Sequence, residues 1–403
     1  MLKAGSLKET KIPPENPALL PKLCFSFIIL PNTGAGAGNA SLRPSAPFGE
    51  IMSKNKLTNS QKRNVARRVE KLHQKQESLP GEMQGDLGAL ARGTVISRFG
   101  KTALVEDNAS RSSFRVCIRR TVDSIVTGDQ VLYRPPLSSG DGAAGLIETV
   151  LPRTSLLSRP DYYDGLRPVA ANLSLIVTVS AKQPELSVNI IDRYVAAAEN
   201  SGIPPLIVIN KHDLFQDAEK ADLDRILGVY REIGYETLTV SAVTGSGIAA
   251  LKDRLSGETA ILAGQSGVGK SSILNALIPE ARAEIGSISE NSNLGQHTTT
   301  GSRLYHLENG GIIIDTPGVR EFGLWHLSRE ELTKCYREFA PFAGACRFRD
   351  CQHKNDPGCA VREAVSQGKI AGFRYENYHR ILESMTENMP DAYRIPGKKN
   401  SRK

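Results

Sequence analysis

Six cysteines in 403 residues are too few to staple a chain of this length, which argues against a disulfide scaffold. No apolar run approaches the roughly 18 residues that cross a bilayer, so no transmembrane helix is expected. Acidic residues are in deficit, 43 against 51 Lys plus Arg, and the net charge of +8 favours an anionic partner such as nucleic acid. The apolar share of 40% is enough for real cores, and the length suits more than one domain. The cysteines that are present are not evenly spread. Cys346, Cys351 and Cys359 fall with His353 inside one short segment, which points to metal rather than to redox pairing. Cys24, Cys117 and Cys335 carry no partner pattern.

Character changes along the chain. Residues 1–51 are rich in Pro, Gly, Ala and Asn, with one apolar patch at 23–30. A disordered extension, or a start assigned too early, is expected; Met52-Ser53-Lys54-Asn55-Lys56 makes a natural start. The competing reading is a secretory signal with Ala35-Gly36-Ala37 as its small-residue site. Residues 52–90 are a basic arm and linker. Val65, Val69 and Leu72 give the arm a thin helical stripe, and a solvated helix and a phosphate-neutralising arm fit it equally. Pro80, Gly81, Gly85 and Gly88 mark the linker.

Residues 91–155 hold short β-rich runs at 93–99, 102–106, 114–118, 130–133 and 145–150, separated by turn residues. They suit a small barrel. An OB-fold fits best, though composition equally permits an SH3-like barrel. Within 156–335, strands at 173–179, 205–209, 237–240, 259–263, 303–307 and 312–315 alternate with helices near 190–200, 218–233, 248–255 and 270–277. That alternation predicts a doubly wound α/β domain. Residues 336–403 are cysteine- and charge-rich and end in a basic tail with Arg394, Lys398, Lys399, Arg402 and Lys403.

Nucleotide motifs appear in an unusual order. Asn210-Lys211-His212-Asp213 has the form of a guanine reader, and it precedes the phosphate loop Gly264-Gln265-Ser266-Gly267-Val268-Gly269-Lys270-Ser271-Ser272. Asp315-Thr316-Pro317-Gly318 comes last. An ordinary GTPase begins with its phosphate loop, so this order is that of a circularly permuted one. The phosphate loop follows an apolar strand and opens a helix, so backbone N–H groups and the helix N-terminus face the phosphates. Lys270 would bridge the β- and γ-phosphates, and the Ser271 hydroxyl would bind Mg²⁺. The Asp213 carboxylate can accept both the N1 and N2 protons of guanine, a donor pair that adenine lacks. Asn210 would brace the loop, the Lys211 stem would cover the base, and Ser241-Ala242 would offer the Ala242 N–H to the guanine O6.

Asp315 would hold Mg²⁺ through water, and the Gly318 N–H would sense the γ-phosphate. One threonine of His297-Thr298-Thr299-Thr300 should complete the Mg²⁺ shell. Thr299 is favoured, with its neighbours left open. No glutamine follows Gly318; Val319 and Arg320 stand there. His297 is therefore the candidate to position the attacking water, against the alternative of a plain exposed loop histidine. Cys346, Cys351, His353 and Cys359 are spaced C-x4-C-x-H-x5-C, a closed four-ligand set of the kind that holds structural zinc.

With these parts in place, the chain resembles the ribosome small-subunit-dependent GTPase A family (RsgA, also called YjeQ or EngC). The resemblance runs from about Met52 to beyond the last zinc ligand. It rests on the permuted order, Gly264 to Ser272, Gly295-Gln296-His297-Thr298-Thr299-Thr300, Asp315 to Arg320 with Glu321-Phe322-Gly323-Leu324, and the zinc set. Arg98-Phe99-Gly100 and Asn189-Ile190-Ile191-Asp192-Arg193-Tyr194 also fit. The resemblance implies an OB-fold facing rRNA, a permuted GTPase domain and a zinc-binding C-terminal domain. It further implies GTP hydrolysis stimulated by the small ribosomal subunit late in that subunit's maturation, by a cytoplasmic monomer away from membranes. Potassium-activated GTPases place Asn where this chain has Gly267, so no potassium requirement is expected. Two other readings are an RNA-binding scaffold that holds GTP without turnover and a tRNA-directed GTPase. Intact Lys270, Ser271, Asp315 and the threonine-rich segment favour turnover. The permutation puts the zinc domain directly downstream of Asp315–Gly318, so it should feel the nucleotide most, with the barrel joining the core at its opposite end.

Overall fold

The computed structural model describes residues 87–122, 124–137, 145–161, 165–279, 302–316, 324 and 326–387. The N-terminal extension, the basic arm, His297 with its threonines, Gly318 and the basic tail lie outside the described residues.

Strands β1 (Ala91–Phe99), β2 (Thr102–Asp107), β3 (Ser113–Ile118), β4 (Gln130–Arg134) and β5 (Gly145–Val150) form the first unit. Side chains alternate across a strand, so one set from each can point inward. Val95, Val105, Val116, Val131, Tyr133 and Ile147 fill that interior. The order is β1-β2-β3-β5-β4, β4 returns to β1, and β3 runs parallel to β5. This is a closed five-stranded OB-like barrel. The buried Tyr133 hydroxyl donates to Asp107 Oδ2 at 2.9 Å, so the phenol brings no unpaired polar atom into the core.

A separate antiparallel hairpin follows, β6 (Leu156–Asp161) with β7 (Gly165–Ala171). Sequence reasoning assigned no strands there. The α/β core then runs β8 (Leu175–Ala181), α1 (Val188–Ser201), β9 (Pro205–Asn210), α2 (Asp217–Ile233), β10 (Glu236–Thr239), α3 (Ile248–Arg254), β11 (Thr259–Ala263), α4 (Lys270–Leu277), β12 (Arg303–His306) and β13 (Ile312–Asp315). Its strand order is β10-β9-β8-β11-β13-β12, parallel except for β12. Every residue of β8 and β9 is buried, as befits central strands of a parallel sheet covered on both faces.

The barrel is not remote from the strands that carry the sequence motifs. β1 pairs antiparallel with β12 at Ser97↔Arg303, so barrel and core share one sheet of eleven strands. A register shift in β1 between Val95 and Ser97 makes the joint possible. Val95 stays in the barrel interior, whereas Ile96 joins the apolar cluster that contains Leu304 and Ile314. Opposite ends in chain order are thus adjacent in space.

Beyond β13 come α5 (Arg329–Lys334), α6 (Ala340–Ala343), α7 (Ala360–Ser366) and α8 (Gly372–Glu387). A capping box starts α5: Ser328 Oγ accepts from Glu331 N–H at 3.2 Å and Glu331 Oε2 accepts from Ser328 N–H at 2.7 Å. Tyr336, Phe339 and Tyr378 cluster with centroids 5.0–5.3 Å apart. Helix α8 is tied to α1 of the core. Arg374, only 1% exposed, meets Asp192 Oδ1 at 2.5 Å and Glu338 Oε1 at 2.7 Å. Asn377 Nδ2 donates to Asp192 Oδ2 at 2.7 Å, and Tyr230 also donates to Asp192.

Candidate nucleotide site and metal-ligand cluster

The carboxyl ends of β9, β11 and β13 lie side by side with β8 in one sheet, and each ends in a sequence-identified motif. That edge is where open α/β sheets bind ligands. Asn210, 1% exposed at the end of β9, joins three loops. Its Nδ2 donates to Val268 O at 2.9 Å in the phosphate loop, and its Oδ1 accepts from Ala242 N–H at 3.1 Å. Lys211 takes a left-handed backbone conformation with φ of 58°. Its Nζ donates to Gln183 O and to Gly267 O, both at 2.8 Å. The Asn210–Lys211 turn and the 264–271 loop are thereby joined by direct contacts. Asp213 follows in a single 3-10 turn, His212–Leu214, and is exposed.

In the phosphate loop, Gly269 has a φ of +91°, and an added Cβ would sit 2.3 Å from Asn210 Nδ2. Only glycine fits there. Val268 is buried and anchors the loop in the core. Gln265 is half-buried, whereas Ser266, Gly267, Ser271 and Ser272 are exposed. Lys270 Nζ donates to Gly264 O at 2.6 Å and to Gln265 O at 2.7 Å, across the loop it would fill with phosphate. Asp315 ends β13. Burial pushes its carboxyl up, while the Lys270 ammonium and the Thr316 N–H pull it back. Ser241 is buried, and its Oγ accepts from Thr244 N–H at 3.2 Å to shape the turn that presents Ala242.

Lys182 is a residue the sequence reading passed over. It donates to Leu214 O at 2.9 Å, pairs with Glu219 and lies over the Phe215 ring at 5.7 Å. Glu219 in turn accepts from Gln216 N–H at 2.8 Å at the start of α2. Lys182 thus holds the turn that carries Asp213. A lone lysine after an apolar strand gives no local signal of this.

Cys346, Cys351, His353 and Cys359 come together, with all four ligand atoms within 4.8 Å of one another. His353 Nδ1 lies 3.6 Å from Cys346 Sγ and 3.5 Å from Cys359 Sγ. The S···N edge of a tetrahedral zinc site is about 3.6 Å, so both of these edges match a four-coordinate ion. Burial holds the His353 imidazole below its ordinary value, which favours the neutral, coordinating form. Its carbonyl is held by Tyr375 OH at 2.5 Å and His379 Nε2 at 3.1 Å, both from α8. His297, Thr298, Thr299, Thr300 and Gly318 lie outside the described residues.

Residues 150–325 match the RsgA GTPase family. The chain is 54% identical over 338 residues to the small ribosomal subunit biogenesis GTPase RsgA 1 of Vibrio vulnificus, covering 84% of this chain and 96% of that one. The chain belongs to the RsgA GTPase family. The family's RsgA protein of Yersinia enterocolitica is 52% identical over 346 residues, 84% of this chain and 97% of its own. YjeQ from Thermotoga maritima superposes with a TM-score of 0.60 at 33% identity, over 74% of this chain and 99% of that one. YloQ, described as a circularly permuted GTPase, gives 0.58 at 27% identity, over 75% and 97%. GTP hydrolysis is the reaction of this family, and the permuted order read from the sequence is the family's architecture. Among the described residues, no helix is long and apolar enough to cross a membrane.

Proposed function

We propose that this protein binds the small ribosomal subunit in the cytoplasm as a monomer and hydrolyses GTP to GDP and phosphate late in that subunit's maturation, stimulated by the subunit. The supporting observation is one continuous sheet that joins the motif-bearing strand ends to an OB-like barrel, in a chain whose relatives are called small-subunit biogenesis GTPases. The barrel surface suits RNA. Phe99, Lys101, Arg115 and Arg120 are exposed on it, and Ile118 N–H donates to Lys101 O at 3.0 Å, joining the end of β3 to the β1–β2 turn.

In this reading Asp213 reads the guanine edge and Ala242 N–H meets O6. Lys270 and the loop from Gly264 to Ser272 hold the phosphates. Ser271 and Thr299 ligate Mg²⁺, Asp315 holds it through water, and Gly318 N–H meets the γ-phosphate. His297 positions the attacking water. Phosphate release is expected to rise when purified small subunits are added. His297→Ala should bind GTP as the parent does yet lose about 100-fold of the stimulated rate. Turnover indifferent to small subunits would overturn the subunit assignment, and an unchanged rate in His297→Ala would remove its role.

The sulfur–nitrogen cluster holds one structural zinc. Four protein ligands close the coordination sphere, so the ion contributes folding energy and no chemistry. Cys351→Ser is expected to lower bound zinc and make α7 and α8 more sensitive to protease, with GDP affinity intact. Elemental analysis finding no stoichiometric zinc in the parent protein would contradict this.

A further inference from the structure

The carbonyl of Ser302 is engaged twice by the barrel. Ser97 Oγ donates to it at 2.8 Å and Thr127 Oγ1 at 3.1 Å. Both hydroxyl-bearing residues are buried, 4% and 2% exposed. They come from separate barrel segments, Ser97 from the bulged part of β1 and Thr127 from the turn before β4.

That turn is held from several sides. Thr127 O accepts from Ala171 N–H at 3.0 Å. Asp129 Oδ2 accepts from Val126 N–H at 2.8 Å, and Arg153 Nε binds Asp129 Oδ1 at 2.7 Å. Gly128 has a φ of +88°, and an added Cβ would lie 2.3 Å from Ala171 O and 3.0 Å from Ile314 Cδ1. The Thr127 hydroxyl is therefore fixed relative to β13 as well as to the barrel.

Ser302 matters because of its neighbours. It immediately precedes β12, whose Arg303 stands opposite Asp315 in the register with β13. We propose that Ser97 and Thr127 are positioning residues for GTP hydrolysis: by holding the Ser302 carbonyl they set the strand that pairs with Asp315. The proposal rests on the Mg²⁺ role assigned above to Asp315. It gives the barrel a part in nucleotide turnover that does not depend on RNA.

A purely structural pair would affect all nucleotides alike. A positioning pair would discriminate, because the Mg²⁺ that Asp315 would hold bridges the β- and γ-oxygens of the triphosphate, and GDP has no γ-oxygen. The test uses the full chain without ribosomes, comparing GDP with a non-hydrolysable GTP analogue in Mg²⁺. Ser97→Ala with Thr127→Val is expected to leave GDP affinity within about twofold while analogue affinity and the basal rate fall about 10-fold. Ser97→Thr and Thr127→Ser, which keep the hydroxyls, should restore the analogue-to-GDP ratio. If the double variant does not fold, Ser97→Ala alone should still lower that ratio. An unchanged ratio, or equal weakening of both nucleotides, overturns the proposal. Because GDP binding reports the base and phosphate loops independently, its survival keeps the GTPase assignment intact in either case.

Discussion

Asp213→Asn is expected to bind GTP about 100- to 1000-fold more weakly and to gain affinity for xanthosine triphosphate. The carboxylate offers two acceptors to the N1 and N2 protons of guanine. Hydrogen bonds to a charged group contribute about 1.5–3 kcal/mol each. The asparagine amide replaces one acceptor by a donor that faces a donor on guanine. Xanthine carries an oxygen where guanine carries the amine, and there the same amide is complementary. The surroundings of Asp213 should survive the change. Lys211 fixes the turn through Gln183 O and Gly267 O, Lys182 fixes Leu214 O, and the Asp213 side chain is exposed. Competition binding with the two triphosphates reads the outcome. Parent-like affinity for GTP would show that Asp213 does not read the base.

Arg374→Met should destabilise the protein by about 3–5 kcal/mol, the usual cost of stranding a buried charge. Arg374 is 1% exposed and its two carboxylate partners, Asp192 and Glu338, are 0% and 8% exposed. Its guanidinium also lies over Tyr336 at 4.4 Å and Tyr230 at 5.3 Å. Burial pushes the Asp192 carboxyl up, and Arg374, Tyr230 and Asn377 oppose that shift. Without Arg374 the carboxyl should rise further and bind a proton in the folded state. A group raised on folding adds stability below its unfolded pKa, and this is lost as pH rises through the folded value. The gap in unfolding temperature between parent and variant should therefore narrow in acid and widen towards neutrality. Adding Asp192→Asn should recover part of the loss and flatten this pH dependence. A variant as stable as the parent at neutral pH would show that the network does not hold α8 to the core.

This network also bears on how nucleotide state could reach the C-terminal helices. The sequence reading makes them the element directly downstream of Asp315–Gly318. In space α8 is bolted to α1, on the same core that carries the phosphate loop. Any displacement driven from the nucleotide must work against those contacts. The barrel joint at Ser97, Thr127 and Ser302 is closer to Asp315 in the sheet, and it is bridged by neutral hydroxyls rather than by charge.

The motifs were legible because each is contiguous and sits at a strand end: apolar run, then Asn210, Gly264 or Asp315. The joints were not. Ser97 and Ser302 are 205 residues apart, Asp192 and Arg374 182 apart, and neither pair has a local pattern. Asp192 was visible only as part of a family-like hexapeptide, with no hint of its ion pair. The β6–β7 hairpin was hidden for a different reason. Pro160 and Pro168 lie inside its strands, opposite Leu166 and Ser158, and proline reads as a break wherever a ladder needs its N–H. The barrel's closure was beyond strand counting, since only the β1–β4 and β3–β5 pairings separate it from other small barrels.

The shared sheet has a bearing on solubility and on biosynthesis. A core ending at β12 would present that strand's unpaired N–H and C=O groups to other chains, a template for aggregation. The barrel covers this flank, and the opposite one, β10, is only four residues long, with its Glu236 held by Arg254 at 3.1 Å. The cover is also made first. β1 is translated about two hundred residues before β12, and N-terminal units tend to fold as they emerge. The vulnerable strand therefore leaves the ribosome with the chain of its cap already synthesised upstream, whereas a core expressed without residues 91–150 would emerge with that edge bare.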